Sequence, residues 1–140
     1  MKSRFLLVLA GCTLVCAAAL PALGARPKAV NLVATPRVKA KLRAAFLIKH
    51  HQYNQRRVKG PLKGRTYYGR FGRTEYAFAT FSVPRTGTTD QPELFRRPVG
   101  GVFRDIGDTG GEICKRDVPL ALIKVWRLKP SSRGCYVSRS

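Results

Sequence analysis

Hydrophobic and polar positions along this chain change period several times, and the changes mark its elements. The first stretch has no period at all: Phe5 to Leu20 is apolar apart from Gly11 and Thr13, follows Lys2 and Arg4, and stops at Pro21. Ala22-Leu23-Gly24 then places small residues at its first and third positions. A basic start, an apolar middle and a small-residue cleavage site are the parts of a secretory signal, so residues 1–24 are expected to be removed after Gly24. A membrane-spanning helix needs ~20 apolar residues, and this run stops short of that at a proline, which argues against an uncleaved anchor. Leu9-Ala10-Gly11-Cys12 also matches a bacterial lipoprotein box. Against lipidation at Cys12, the following residues stay apolar where a lipoprotein continues into a polar tether.

Beyond the signal, residues 25–36 read as a flexible basic tether. Thr35 then offers an N-cap and Pro36 occupies the first helical position, where its missing N–H does no harm. A helical period follows to about Gln52, with Val38, Leu42, Ala45 and Phe46 on one stripe and Lys39, Lys41, Arg43 and Lys49 off it. Asn54 to Arg65 is polar, basic and broken by Gly60, Pro61 and Gly64, which is loop composition. The period then shortens to two. Thr66–Phe71 and Glu75–Val83 are aromatic and β-branched runs around Gly72-Arg73-Thr74, a hairpin signal. In the second run Ala77, Ala79, Phe81 and Val83 share one face and Tyr76, Phe78, Thr80 and Ser82 the other; both faces are largely uncharged, so this is expected to be a central strand. Residues 84–92 read as a Gly/Thr/Pro-rich loop. Glu93–Arg97 and Val102–Ile106 form a second hairpin around Pro98-Val-Gly-Gly101. Asp117 is placed to cap a last helix, with Pro119 in its first turn and apolar residues from Leu120 to Trp126. The expected fold is α+β: an antiparallel meander of about four strands in residues 37–140, with both helices packed on one face.

Charge sharpens this picture. Without residues 1–24 the chain keeps 25 Lys and Arg against 7 Asp and Glu, a net of +18. From Arg26 to Arg73 there are 14 basic residues and no acidic one; from Thr74 onward there are 11 basic and 7 acidic. Such a field attracts anionic partners. The expected anion-binding residues are Lys39, Lys41, Arg43, Lys49, Arg56, Arg57, Lys59, Lys63 and Arg65. The plainer alternative is that the 17 Arg and 10 Lys reflect a GC-rich genome and a need for solubility.

Cys114 and Cys135 are the only cysteines left after the signal, and an even count in a small exported domain favours a disulfide between them. Few other motifs carry chemistry. Gly107-Asp-Thr-Gly-Gly111 is one residue from the nucleophile segment of chymotrypsin-like proteases, but Thr109 replaces the serine and no base and orienter segments accompany it. Asp108-Thr-Gly110 matches the triplet of small aspartic proteases without their preceding apolar strand. Gly, Asp and Thr in this order also build ordinary turns. His50 and His51 are adjacent, so on a helix they point about 100° apart and cannot share one metal. Tyr67, Tyr68 and Phe71 alternate with Arg65, Arg70 and Arg73 in a way that could stack bases, yet hairpin aromatics serve a core equally well. No catalytic residue, metal ligand or cofactor is assigned from the sequence.

Gly64-Arg-Thr-Tyr-Tyr-Gly69, Glu75-Tyr-Ala-Phe-Ala-Thr-Phe81, Gly107-Asp-Thr-Gly-Gly111, Cys114 and Val118-Pro119 together resemble a group of small exported proteins of high-GC Gram-positive bacteria. The resemblance spans roughly residues 37–136. It implies an extracytoplasmic location and the Cys114–Cys135 bridge, and brings no activity with it. The functional expectation is therefore a non-enzymatic exported domain associating with anionic envelope polymer or lipid. A protein-interaction module with incidental charge is the alternative, and nucleic acid is a less favoured partner.

Overall fold

The computed structural model describes residues 26–138 apart from residue 86, with side chains except those of 84–89. The expected signal, including Cys12 and its surroundings, lies outside the described residues. Ten elements follow in order: β1 (Ala29–Asn31), α1 (Pro36–Lys49), β2 (Thr66–Phe71), β3 (Thr74–Arg85), β4 (Gly87–Pro98), β5 (Arg104–Asp108), β6 (Glu112–Ile113), α2 (Leu120–Val125), β7 (Lys129–Pro130) and β8 (Tyr136–Val137). They make an α+β fold whose main sheet is antiparallel, in the order β1-β2-β3-β4-β5. A second sheet, β6-β8-β7, is smaller.

β3 lies at the centre, and its two largely apolar faces explain the layers. Ala77, Ala79, Phe81 and Val83 are buried with Leu42, Ala45 and Phe46 of α1 and with Tyr68, Phe95 and Phe103. Phe78 faces the other way, into Leu94, Ile113, Val118, Leu122, Ile123, Trp126 and Leu128. The two helices thus cover opposite faces of the sheet rather than one. That corrects the single-face expectation, and the reason is physical: a strand apolar on both sides needs cover on both sides.

The local signals of α1 hold. Thr35 Oγ1 accepts from the Val38 N–H at 3.3 Å, and Pro36 sits in the first turn. The helix ends at Lys49, short of Gln52, because Tyr53 N–H turns back to the His50 carbonyl and Asn54 begins a new turn. The supposed tether is a strand for part of its length, with Ala29–Asn31 pairing to Gly69–Phe71. The described residues of 84–92, expected as loop, also belong to strands: β3 and β4 pair from Thr74↔Pro98 to Arg85↔Gly87. Asp117 does not cap α2. The residue before α2 is Pro119, no side chain caps the helix, and Asp117 pairs with Arg116 at 3.5 Å.

Two details hold α2 and the chain end in place. Gly69 leaves room for the helix: a Cβ there would come within 2.6 Å of Leu122 Cδ1 and 2.8 Å of the Val30 carbonyl. Cys114 and Cys135 lie at disulfide distance, with Cα atoms 4.4 Å apart, and join the turn after β6 to the segment before β8. Gly69→Ala should therefore destabilise the domain by about 1–3 kcal/mol through overpacking, measured by urea unfolding. Replacing Cys114 and Cys135 together by serine should cost about 3 kcal/mol in the same assay, the chain-entropy value for a loop of this size. An unchanged midpoint in either variant would contradict the packing described.

Candidate functional site

The nine cations expected to bind anions do not behave alike. Arg43 donates to the Val58 carbonyl at 2.6 Å and the Gln55 carbonyl at 2.7 Å, tying α1 to the loop beneath it. Arg65 pairs with Asp90, and Lys49 lies 3.1 Å from Asp105. The other six, Lys39, Lys41, Arg56, Arg57, Lys59 and Lys63, have no side-chain hydrogen bond or ion pair among the described residues. The basic loop is not loose. Lys59 and Ser82 exchange backbone hydrogen bonds, and Leu62 N–H reaches the Thr80 carbonyl, so residues 59–65 run along β3 beyond the end of β2. Val58 is buried and anchors the segment. Lys39 lies one helical turn before Arg43, on the side of α1 that meets this loop. Lys41 stands apart, beside Ala44, Ile48 and Val102.

A second constellation was not visible as such in the sequence. His50 caps the C-terminal end of α1, its backbone N–H bonded to the Phe46 carbonyl. Glu93 and Asp105 come from neighbouring strands. Glu93 shares a face with Phe95, and Phe95 is paired with Asp105; Leu94, however, is paired with Gly107, so one extra residue bulges on β5 beside the cluster. Bulges of this kind commonly re-aim side chains at sites. Here both carboxylates end up beneath the C-terminus of α1. His50 Nε2 is 3.0 Å from Glu93 Oε1 and 3.7 Å from Asp105 Oδ2. Lys49 Nζ closes the outer side, 3.1 Å from Asp105 Oδ1 and 3.9 Å from Glu93 Oε2.

Neighbours hold these groups firmly. The His50 ring stacks on Phe46 at 4.4 Å and Tyr53 at 5.5 Å. Gln91 Nε2 donates to Glu93 Oε1 at 2.9 Å, and Tyr53 Oη donates to Gln91 Oε1 at 3.1 Å. Glu93 has no exposed surface. Burial first, and then the nearby Asp105 carboxylate, push its carboxyl up to about 8. Lys49 opposes this, but it sits closer to Asp105, and at 3.9 Å from Glu93 it does not outweigh the lost hydration. Burial also lowers His50 below its ordinary value, against the pull of Asp105.

Sequence spacing alone hides this cluster, because its members are separated by 43 and 12 residues and come from three elements. His51 is exposed, whereas His50 meets partners that only tertiary packing supplies. Of the other motifs, Asp108 Oδ1 accepts from the Gly110 N–H at 2.7 Å and the Thr109 N–H bonds the Pro92 carbonyl, so this run shapes the turn after β5. A hollow of about 720 Å³ between that turn and the disulfide carries Asp108, Glu112, Asp117, Lys115, Arg116 and Arg133, whose signs offset one another. Compared with known protein families, curated proteins and solved structures, the chain matches none.

The pH dependence of stability follows from Glu93. Its raised value means that folding favours the protonated acid, so this contribution is complete below the unfolded value near 4.5 and is lost as pH rises through about 8. His50 acts in the opposite sense, losing its smaller contribution as pH falls below 6.5. Denaturant unfolding in the presence of a chelator should show stability falling between these two Glu93 values, with a slope approaching ~1.4 kcal/mol per pH unit. Glu93→Gln, which mimics the protonated acid, should flatten that slope. An equal slope in the variant would place the titration elsewhere.

Proposed function

We propose that this chain is an exported, non-enzymatic domain that associates with anionic envelope surfaces, polymer or lipid, through the cations of α1 and the loop after it. What carries the reading is how the fold partitions charge. Of the seven acids, Glu75 pairs with Arg97, Asp90 with Arg65, Asp105 with Lys49 and Asp117 with Arg116, while Glu93 is fully buried. Five of the seven acids are thus spent inside the molecule or on neighbouring cations, while Asp108 and Glu112 line the hollow that also carries Lys115, Arg116 and Arg133, away from the basic loop. Arg56, Arg57, Lys59 and Lys63 remain exposed on a segment pinned to β3. A fixed row of uncompensated cations attracts phosphate- or carboxylate-bearing surfaces and speeds encounter with them. No helix among the described residues is long and apolar enough to cross a membrane, so the association in this reading is peripheral.

A second reading rests on a different patch. Ile48 and Val102 are 77% and 81% exposed and lie side by side near Phe103. An apolar pair of this kind fits a protein partner, and such binding would survive reversal of the basic loop.

Retention of the purified protein on envelope, anionic vesicles and DNA should decide between them. Retention on the anionic surfaces is expected at low salt and is expected to vanish toward about 1 M, where the Debye length is ~3 Å. Reversing Arg56, Arg57, Lys59 and Lys63 to glutamate should weaken vesicle binding by at least roughly a thousandfold, at ~1 kcal/mol per cation. Reversing Lys115, Lys124, Lys129 and Arg133 changes net charge equally and should cost far less. Equal losses from the two sets would assign the effect to net charge and sink the loop as a binding surface.

A further inference from the structure

We propose that His50, Glu93 and Asp105 form a binding site for a first-row divalent metal ion, with Lys49 occupying the cation's place until the metal arrives. The first observation is an unmet need. His50 Nε2, Glu93 Oε2 and Asp105 Oδ2 are all buried; with Glu93 ionised none has a hydrogen-bond partner among the described residues, and without a cation the two acids are relieved only by sharing a proton between the Glu93 and Asp105 carboxyls. Buried polar atoms are nearly always satisfied, so three orphans turned toward one another point to a shared ligand. His50 Nε2 does come within 3.0 Å of Glu93 Oε1, but without the alignment of a hydrogen bond.

Geometry and chemistry then select the ligand. One donor atom from each of the three residues can be chosen so that all lie within 4.8 Å of one another. Around a tetrahedral ion with bonds of ~2.1 Å, donors stand about 3.4 Å apart. The His50 nitrogen lies 3.0 and 3.7 Å from the nearest carboxylate oxygens, on either side of that spacing. An imidazole with two carboxylates is a borderline-hard donor set, suited to zinc, cobalt, manganese or ferrous iron. Two carboxylates and a neutral imidazole also balance a divalent charge. Three protein donors leave a fourth position for water or an exogenous ligand.

The surroundings fit the assignment. Metal ligands are normally held by outer partners, and here Gln91 orients Glu93 while Phe46 and Tyr53 hold the His50 ring. Access lies through Lys49, whose side chain is 39% exposed while those of Glu93 and Asp105 are 0% and 2% exposed. Gly107 gives its ammonium group space: a Cβ there would stand 3.3 Å from Lys49 Nζ. A long, half-exposed side chain can swing into water and leave both carboxylates to an ion. The inference is independent of the basic loop and of its binding.

The test is titration of chelator-stripped protein with cobalt and zinc ions, followed by visible absorption, calorimetry and thermal melting. One cobalt per chain is expected, with ligand-field bands that zinc abolishes, and zinc should raise the melting temperature. Glu93→Gln and Asp105→Asn should each weaken binding at least ~10-fold. His51→Ala should leave it unchanged. Lys49→Met removes the competing ammonium group and should tighten binding several-fold, an effect that a poorly folded variant would not produce. Failure of both wild type and Lys49→Met to bind one ion per chain would overturn the proposal. So would binding that His51→Ala abolishes or that Asp105→Asn leaves intact.

Discussion

Everything in this fold follows from a strand that is apolar on both sides. β3 presents Ala77, Ala79, Phe81 and Val83 to one face and Phe78 to the other, so no single layer can shield it. α1 covers the first face; α2 and the small sheet cover the second. The long pairing with β4 and the backbone bonds from residues 59–65 shield both of its edges. Removing cover from either face would expose aromatic surface at ~25 cal/mol per Å², a large share of what a small domain can spare.

Polar groups on the α1 face are treated in two ways. Arg97 is buried, yet each of its three guanidinium nitrogens finds a partner: Glu75 Oε2, Tyr68 Oη at 3.1 Å and the Gly101 carbonyl at 3.2 Å, with the Phe103 ring 4.0 Å from the guanidinium. That network leaves no nitrogen of Arg97 without a partner inside the chain, as a structural ion pair requires. His50, Glu93 and Asp105 lie on the same side of the same sheet and retain orphaned atoms. The contrast is what separates an internal brace from a site built for something outside the chain.

Charge is sorted along the same lines. The half from Thr74 onward contains all seven acids, five of which turn inward or neutralise neighbouring cations, and the acid-free half before it presents exposed cations with no acid of its own beside them. Arg43, Lys49 and Arg65 show that a basic residue in that half is not automatically free: each is drawn to a carbonyl or carboxylate that the fold brings near. Of the uncommitted cations left behind, Lys39 and Lys41 stand on α1, and Arg56, Arg57, Lys59 and Lys63 are held on a segment with its own backbone pairing and its own buried anchor, Val58.

Local chemistry was enough for the elements whose causes are local. Thr35 and Pro36 start α1, the Leu42–Phe46 stripe buries it, Gly72 and Arg73 turn β2 into β3, and the largely uncharged faces of β3 make it central. The cysteine count pointed to the pair that the fold brings to bonding distance. Where the cause was distant, the local signal misled. The described residues of 84–92 carry turn composition but are strand, because β3 offers a long template for pairing. Asp117 has a capping side chain, but the turn from Cys114 directs it away from the helix. The sequence by itself determined which segments are helix or strand where periodicity and caps agree, and the lopsided charge. Only the tertiary structure decided which face each helix covers and which basic residues stay free. It also decided that His50 meets Glu93 and Asp105, because those outcomes depend on strand register and a single bulge, which no run of neighbouring residues encodes.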